Sequence, residues 1–495
     1  QLFQNLETNG RFHSDWCSMI YPRLVLARSL LRDDGVIFIS IDDHEVDNLR
    51  KICDEIFGES NFITEFIWAA GRKNDSKLVS VSHEYILCYA KSRLYLHERQ
   101  ILWRERKQGL DEIYSAYKKI KTQFGTDYDG MTQALKEWFK SLPQTHPAKN
   151  HAHYSYVDKR GIYFPDNASW PGGGGPRYEV LHPVTQKPVK VPSRGWIFSS
   201  PQKMQEMIAD DRIHFGADEN SVPCTKSYLT EREYTAPYSV FYKDGRASTK
   251  RLRNLLEANV FENPKDEEII QHIIEFVGSG NGIILDFFSG SGTTAHATLL
   301  QNAADGGKRK FIMVQLPEPC GEKTEAYKAG YKNICEIGKE RIRRAGDKIK
   351  ADTGDTVAGL DIGFRVLKLD SSNMTDVYYA PGDYSQDLVA QMEENIKADR
   401  TDIDLLFACL IEWGLPLSLP HTREIVDGCT IHNYNDGALV ACFDKNISET
   451  VIRHVAGIHP LRAVFRDNGF TSAPEKINVF ELFKRLSPNT SIRVL

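Results

Sequence analysis

Residues 283–300 read IILDFFSGSGTTAHATLL: an apolar strand (283–288) runs into a loop holding Gly290 and Gly292, and a helix opens at Thr293. Glycines at such a turn let the backbone approach a ligand closely and take conformations that a side chain forbids. Gly290, Gly292 and Ala295 also satisfy the GxGxxA form of the dinucleotide fingerprint, so the motif alone does not choose the ligand. A purely structural turn is the plain alternative. Where a nicotinamide site wants an acid for the ribose, at the end of the next strand, this chain has Gln315.

Outward from the loop, the pattern predicts a helix over 265–276 ended by Gly278, a strand over 311–316 and a long helix over 331–349. The N-terminal part has the same grammar. Residues 14–31 place Trp16, Ile20, Arg23, Leu24, Ala27, Leu30 and Leu31 near helical spacing, with Ser14 as N-cap and Pro22 kinking the helix or starting its second half. VIFISI, 36–41, is an unbroken β-prone run and reads as an interior parallel strand. Asp42 and Asp43 follow it, where ligands of open sheets gather or where a helix over 45–57 is capped. Strands are expected over 62–68 and 84–90, with a polar loop at 72–77 between them. Strands alternating with helices give an α/β fold.

The 495 residues imply about three domains. Hydrophobic residues are 41% and charged residues 26%, an ordinary globular balance, and no apolar run approaches the roughly 20 residues of a membrane helix. The net charge of -5 gives no global argument for nucleic acid, so any such footprint must be local. Residues 141–260 carry 16 Lys plus Arg against 12 Asp plus Glu, a local excess of +4. The nine cysteines are dispersed with no CxxC, which fits a reduced cytoplasm without structural zinc. His151 and His153 have no companions at metal-ligand spacing. From 92 to 254 short segments are broken by Pro, Gly and His, and 351–359 is the best linker.

Together with residues 12–63, 83–92, 262–274 and 477–495, the DxFxGxG run that holds Asp286, Phe288, Gly290 and Gly292 resembles the modification subunits of type III restriction-modification systems, beta-class DNA amino-methyltransferases. The resemblance implies a Rossmann-like α/β sheet in permuted order. Its catalytic half is 1–91, an inserted target-recognition domain 92–254, the donor-binding half 255–350, and a C-terminal α+β assembly domain 360–495. It implies S-adenosylmethionine as the cofactor, bound by Asp286, Phe287, Phe288, Gly290, Gly292, Thr293 and Gln315, with Asn263, Pro264 and Lys265 closing over its methionine end. A side chain added at Gly290 or Gly292 is expected to fill the ligand's space and leave the fold intact. The reaction implied is methyl transfer to adenine N6 in double-stranded DNA, with no metal, in a cytoplasmic homodimer that works with a restriction subunit supplying translocation and cleavage. No GxxxxGK[ST] loop for such a translocase occurs here.

The family's catalytic tetrapeptide, Asp-Pro-Pro-Tyr, lies on the strand before the 14–31 helix, and the run is absent from this sequence. The expectation is that it lies upstream of Gln1 in a longer chain or that the protein is a catalytically inactive DNA-recognition and assembly module; the catalytic residues stay unassigned. Trp68, Lys73 and Tyr85 fall in segments that flank the target base in the family, while a Trp in an apolar strand is as readily core.

Overall fold

The computed structural model describes residue 5 and residues 8–69, 77–278, 280–354, 359–375, 396–470 and 473–495. Lys73 and most of the 72–77 loop lie outside them, as do residues 355–358 of the expected linker. The chain forms two compact units, Gln1–Gly363 and Phe364–Leu495.

The first unit holds a four-stranded sheet in the order Val36–Ile41, His83–Ala90, Phe62–Ala69, Val240–Tyr242. Its centre is His83–Ala90, antiparallel to both neighbours, with Val36 opposite Ala90 and Ile67 opposite Tyr85. Alternation along that strand sends Leu87 and Tyr89 to one face and Ile86 and Cys88 to the other, and all four are buried. On the first face lie Ile20 and Leu24 of the Phe12–Leu30 helix and Leu49 and Cys53 of the Val46–Cys53 helix. On the second, Phe66, Trp68, Ile86 and Cys88 meet Ile269, Ile273 and Phe276 of the Glu267–Val277 helix. Each large apolar side chain so buried contributes about 1.5–3 kcal/mol.

Three expectations are corrected. VIFISI is not an interior parallel strand: it pairs antiparallel on one side only among the described residues, and its six residues are half-buried. An apolar run reports burial potential but not its neighbours, and the central position went to HEYILCYA. Pro22 sits within a continuous helix that starts at Phe12, and Ser14 does not cap it; its Oγ donates to the Arg11 carbonyl. Neither Asp42 nor Asp43 caps the next helix, whose N-cap is Glu45 with no side-chain cap bond; Asp42 instead accepts from the His44 N–H at 3.2 Å.

A second, parallel pair, Ile283–Asp286 and Lys310–Met313, is joined through the Thr293–Asp305 helix, with Ile283 opposite Lys310. Beside it run the Glu267–Val277 helix, closed by Gly278 at φ +79°, and the Ile334–Thr353 helix. Between the sheets' strands in sequence, the helices Leu110–Phe124 and Tyr128–Ser141 bury Ile113, Met131, Leu135 and Phe139 against Val157 and Ile162 of a four-stranded antiparallel sheet. The strand Val240–Tyr242 then returns to lie parallel to Phe62–Ala69.

The second unit is a five-stranded sheet, His421–Val426, Cys429–Tyr434, Leu439–Cys442, Arg462–Phe465, Ser491–Val494, antiparallel over the first three and parallel over the last three. The helices Glu449–Gly457 and Ala473–Leu486 bury Val451, Val455, Val479 and Phe483 in one core, and Asp402–Glu412 buries Leu405, Leu406 and Leu410 in another. Among the described residues no helix is long and apolar enough to cross a membrane.

Candidate functional site

The loop after Ile283–Asp286 is fixed by its own backbone and by two side chains. Asp286 accepts from the Phe288 N–H at 3.1 Å and from the Thr294 hydroxyl at 2.6 Å, tying the strand end to the first turn of the following helix. Gln315, just past the neighbouring strand, accepts from the Gly290 N–H at 2.7 Å. Gly290 and Gly292 have φ of +49° and +76°, the left-handed region that glycine enters without penalty. A Cβ on Gly290 would touch the Phe261 ring at 3.5 Å, an ordinary van der Waals contact, so a methyl fits there without a clash. A Cβ on Gly292 would sit 3.2 Å from the Gly338 carbonyl of the Ile334–Thr353 helix. The expectation for Gly292 is therefore corrected: this glycine permits close helix packing, and a side chain there strains the fold before it reaches ligand space.

Behind the loop lies a polar core that the sequence did not announce. The Arg341 guanidinium is 1% exposed and donates to Thr293 Oγ1 at 2.7 Å and Ser291 Oγ at 2.9 Å, with Glu267 at 3.4 Å. Glu267 also takes Arg251 at 2.5 Å, and Asp266 forms an ion pair with Arg251 at 2.9 Å. Asp266 meanwhile caps the Glu267–Val277 helix through the Glu268 and Ile269 N–H groups. Burial lowers Arg341 to about 10, so it stays cationic at neutral pH, and burial followed by the Arg341 charge lowers His296 to about 3, leaving a neutral ring whose Nδ1 faces Arg341 Nε at 3.4 Å. Only the i, i+1 acid pair at 266–267 and one of the three arginines of an amphipathic helix hinted at this network.

The segment 263–265 is joined to the same core. Asn263 has φ +51°, Pro264 is buried with its carbonyl accepting from Ser248 Oγ at 3.1 Å, and Lys265 is exposed. The Lys265 ammonium pairs with Glu84 and lies 5.8 Å from the Trp68 ring centroid. Phe288 is half exposed, whereas Phe287 packs on the core of the four-stranded sheet beside Ile37, Ile39 and Ile41. Asp286, Phe288, Gly290, Gly292 and Thr293 thus lie on one strand–loop–helix turn with Gln315 bonded to it from the neighbouring strand's end, while Pro264 is tied to Ser248 and Lys265 to Glu84. Trp68 is buried and donates from Nε1 to the Lys243 carbonyl at 2.9 Å, a core anchor. Tyr85 meets His83 Nε2 at 2.9 Å, and burial with Asp43 nearby raises its phenol. His151 is bonded to the Gln108 carbonyl at 3.1 Å. Among the described residues, a grouping with possible metal-ligand geometry is Cys429, Cys442 and Asp444, in the second unit.

A loop shaped in this way, between a parallel strand and a helix, limits the ligand class without naming it. A family model described as "DNA methylase" matches residues 4–319. The chain belongs to this DNA methylase family. It is 36% identical over 75% of its length to the EcoP15I Mod subunit of a type III restriction-modification enzyme from Escherichia coli, covering 58% of that protein. It is 35% identical over 71% of its length to the StyLTI Mod subunit from Salmonella typhimurium, covering 48%. The type II methyltransferase M.KpnI from Klebsiella pneumoniae is 29% identical over 68% of the chain, with 75% of that protein covered. The chain thus spans about half the length of the type III relatives it matches.

Proposed function

We propose that this DNA methylase is the modification subunit of a type III restriction-modification system, transferring methyl from S-adenosylmethionine to adenine N6 in double-stranded DNA. The observation that carries the reading is the glycine loop: Asp286, Gln315 and Arg341 brace it, and Gly290 and Gly292 keep its turn free of side chains. Asp286, Phe287, Phe288, Gly290, Gly292, Thr293 and Gln315 would hold the cofactor, with Asn263, Pro264 and Lys265 at its methionine end. The site fits such a group in its backbone: two left-handed glycines keep the turn free of side chains, so a ligand can approach the main chain closely. When bound, S-adenosylmethionine supplies an electrophilic methyl on sulfonium.

The chain's own residues orient. The adenine amine is a poor nucleophile because its lone pair is delocalised, so an acid and a carbonyl must hold its hydrogens while an aromatic ring stacks on the extruded base. The resemblance puts those groups on an Asp-Pro-Pro-Tyr strand. Val36–Ile41 and Ile283–Asp286 each have one edge without a strand partner among the described residues. On this reading the sheet has the permuted order, 92–254 reads the DNA sequence, and 360–495 builds a homodimer or seats the restriction subunit, in the cytoplasm. Calorimetry with S-adenosylmethionine and with NAD tests the site; preference for NAD overturns the reading. The likeness to Mod subunits and the family match favour a transferase over an inactive recognition module, and labelled methyl transfer to duplex DNA by the full-length protein decides between them.

A further inference from the structure

The Gly245–Leu256 helix, GRASTKRLRNLL, carries four basic residues and no acid. Its inner face is committed: Leu252 and Leu256 are buried with Ile337, Ser248 holds the Pro264 carbonyl, and Arg251 is pinned by Asp266 and Glu267. Arg246, Lys250 and Arg253 recur at i, i+4 and i+7 and so share the outer face. All three are exposed and line a shallow groove with Thr249. Arg246 has Asp244 as a partner at 2.9 Å, while Lys250 and Arg253 make no ion pair among the described residues. Two exposed cations without a carboxylate partner on one face are free to attract an anion from outside. Their rise along the helix, about 6 Å and about 10 Å from Arg246, suits a ladder of phosphates spaced by about 3.4 Å per nucleotide.

We propose that this face is a clamp for the DNA backbone, in which Arg246, Lys250 and Arg253 each take a phosphodiester of the duplex. The inference deepens the methyltransferase reading and rests on it. The clamp is sequence-blind, and its use is positional. Ser248 and Arg251 bind the inner face to the 263–267 segment, so a strand held on the outer face is held at a fixed place relative to the glycine loop.

The test uses the 495-residue chain and a triple variant, Arg246→Gln, Lys250→Gln and Arg253→Gln, with a fluorescent duplex of arbitrary sequence titrated between 50 and 200 mM salt (roughly the range over which counterion release is read). The slope of log affinity against log salt should shrink by about 2 to 3, at about 0.9 per lost phosphate contact. Affinity at the lowest salt should fall at least about tenfold by the same arithmetic, and calorimetric S-adenosylmethionine binding should be unchanged. If the triple variant does not fold, Lys250→Gln alone should reduce the slope by about 0.9. An unchanged slope in variants that still bind the donor overturns the clamp and leaves the methyltransferase reading standing. Loss of binding to an acidic polypeptide such as polyglutamate, with the DNA slope intact, also overturns it, since the face would then serve an acidic protein. Wild-type chain that binds the donor but no duplex overturns the clamp; wild-type chain that binds neither removes both.

Discussion

Around the Phe62–Ala69 strand the contacts are apolar and aromatic, Phe66 stacking on Phe241 with ring centroids 5.3 Å apart and meeting Phe276 at 6.0 Å. Around Ile283–Asp286 they are polar and directional: Asp286 to Thr294, Gln315 to Gly290, Arg341 to Ser291 and Thr293. Dispersion and burial tolerate small shifts, so the first region fixes volume. Charged hydrogen bonds in a buried setting fix direction, and breaking one leaves an uncompensated charge. A loop proposed to hold a ligand needs the second kind of support and a scaffold sheet needs the first.

The widest separation expected between the two regions is functional. Methyl transfer needs an acid and an aromatic ring at the amine, and this sequence contains no Asp-Pro-Pro-Tyr. Losing the positioning of a reacting pair removes about 7–11 kcal/mol of barrier lowering, many powers of ten in rate. The 495-residue polypeptide should bind S-adenosylmethionine yet transfer methyl at background. Radiolabel incorporation by this chain would show that catalysis uses other groups.

Next in size is Arg341→Met, expected to cost about 1–3 kcal/mol in urea unfolding because the buried Ser291 and Thr293 hydroxyls lose their donor, while Glu267 keeps Arg251. Arg341→Lys should restore part of the stability but not the two-pronged grip on Ser291 and Thr293, so donor affinity stays at least about tenfold weak. The glycines sharpen the contrast further. Gly290→Ala should cost about 1–2 kcal/mol from its positive φ and keep donor binding measurable, whereas Gly292→Val should lower the melting temperature sharply by pressing on Gly338.

His296 adds a pH signature. Its folded pKa, about 3, lies below the ordinary value of 6.5, so the unfolded chain takes the proton first. Its contribution is intact above pH 6.5 and falls as pH drops from there toward 3, by about 1.4 kcal/mol per unit. His296→Gln should flatten that part of the pH profile of urea midpoints. Smallest is Trp68→Phe, which loses the bond to the Lys243 carbonyl and some volume, about 1–2 kcal/mol, with donor affinity unchanged. A large loss of donor affinity there would place Trp68 in the site after all.

The glycine loop was legible because its requirement is local: a strand, two positive-φ residues and a helix start within a few positions. The helices at 267–277, 293–305 and 334–353 were legible from period and caps, each within a few residues of its expected bounds. Arg341 was not, because what makes it functional is a set of partners 48, 50 and 74 residues away. VIFISI was misplaced in the sheet for a similar reason, since pairing is decided by strands whose sequences look as apolar as its own. The basic helix face escaped notice because the four charges of 245–256 serve two faces, one buried and one open, which only the packing of Leu252 separates.

The edge of Val36–Ile41 that has no strand partner among the described residues also bears on how the polypeptide behaves in a tube. Six residues without charge or proline, rich in β-branched side chains, present backbone donors and acceptors that another copy can satisfy. Concentrated solutions of the 495-residue chain should therefore scatter light and bind amyloid dyes sooner than a form in which that edge is covered, and a lysine placed in the run should delay the onset. A hydrogen-bonding row left open in this way is a nucleus for insoluble material.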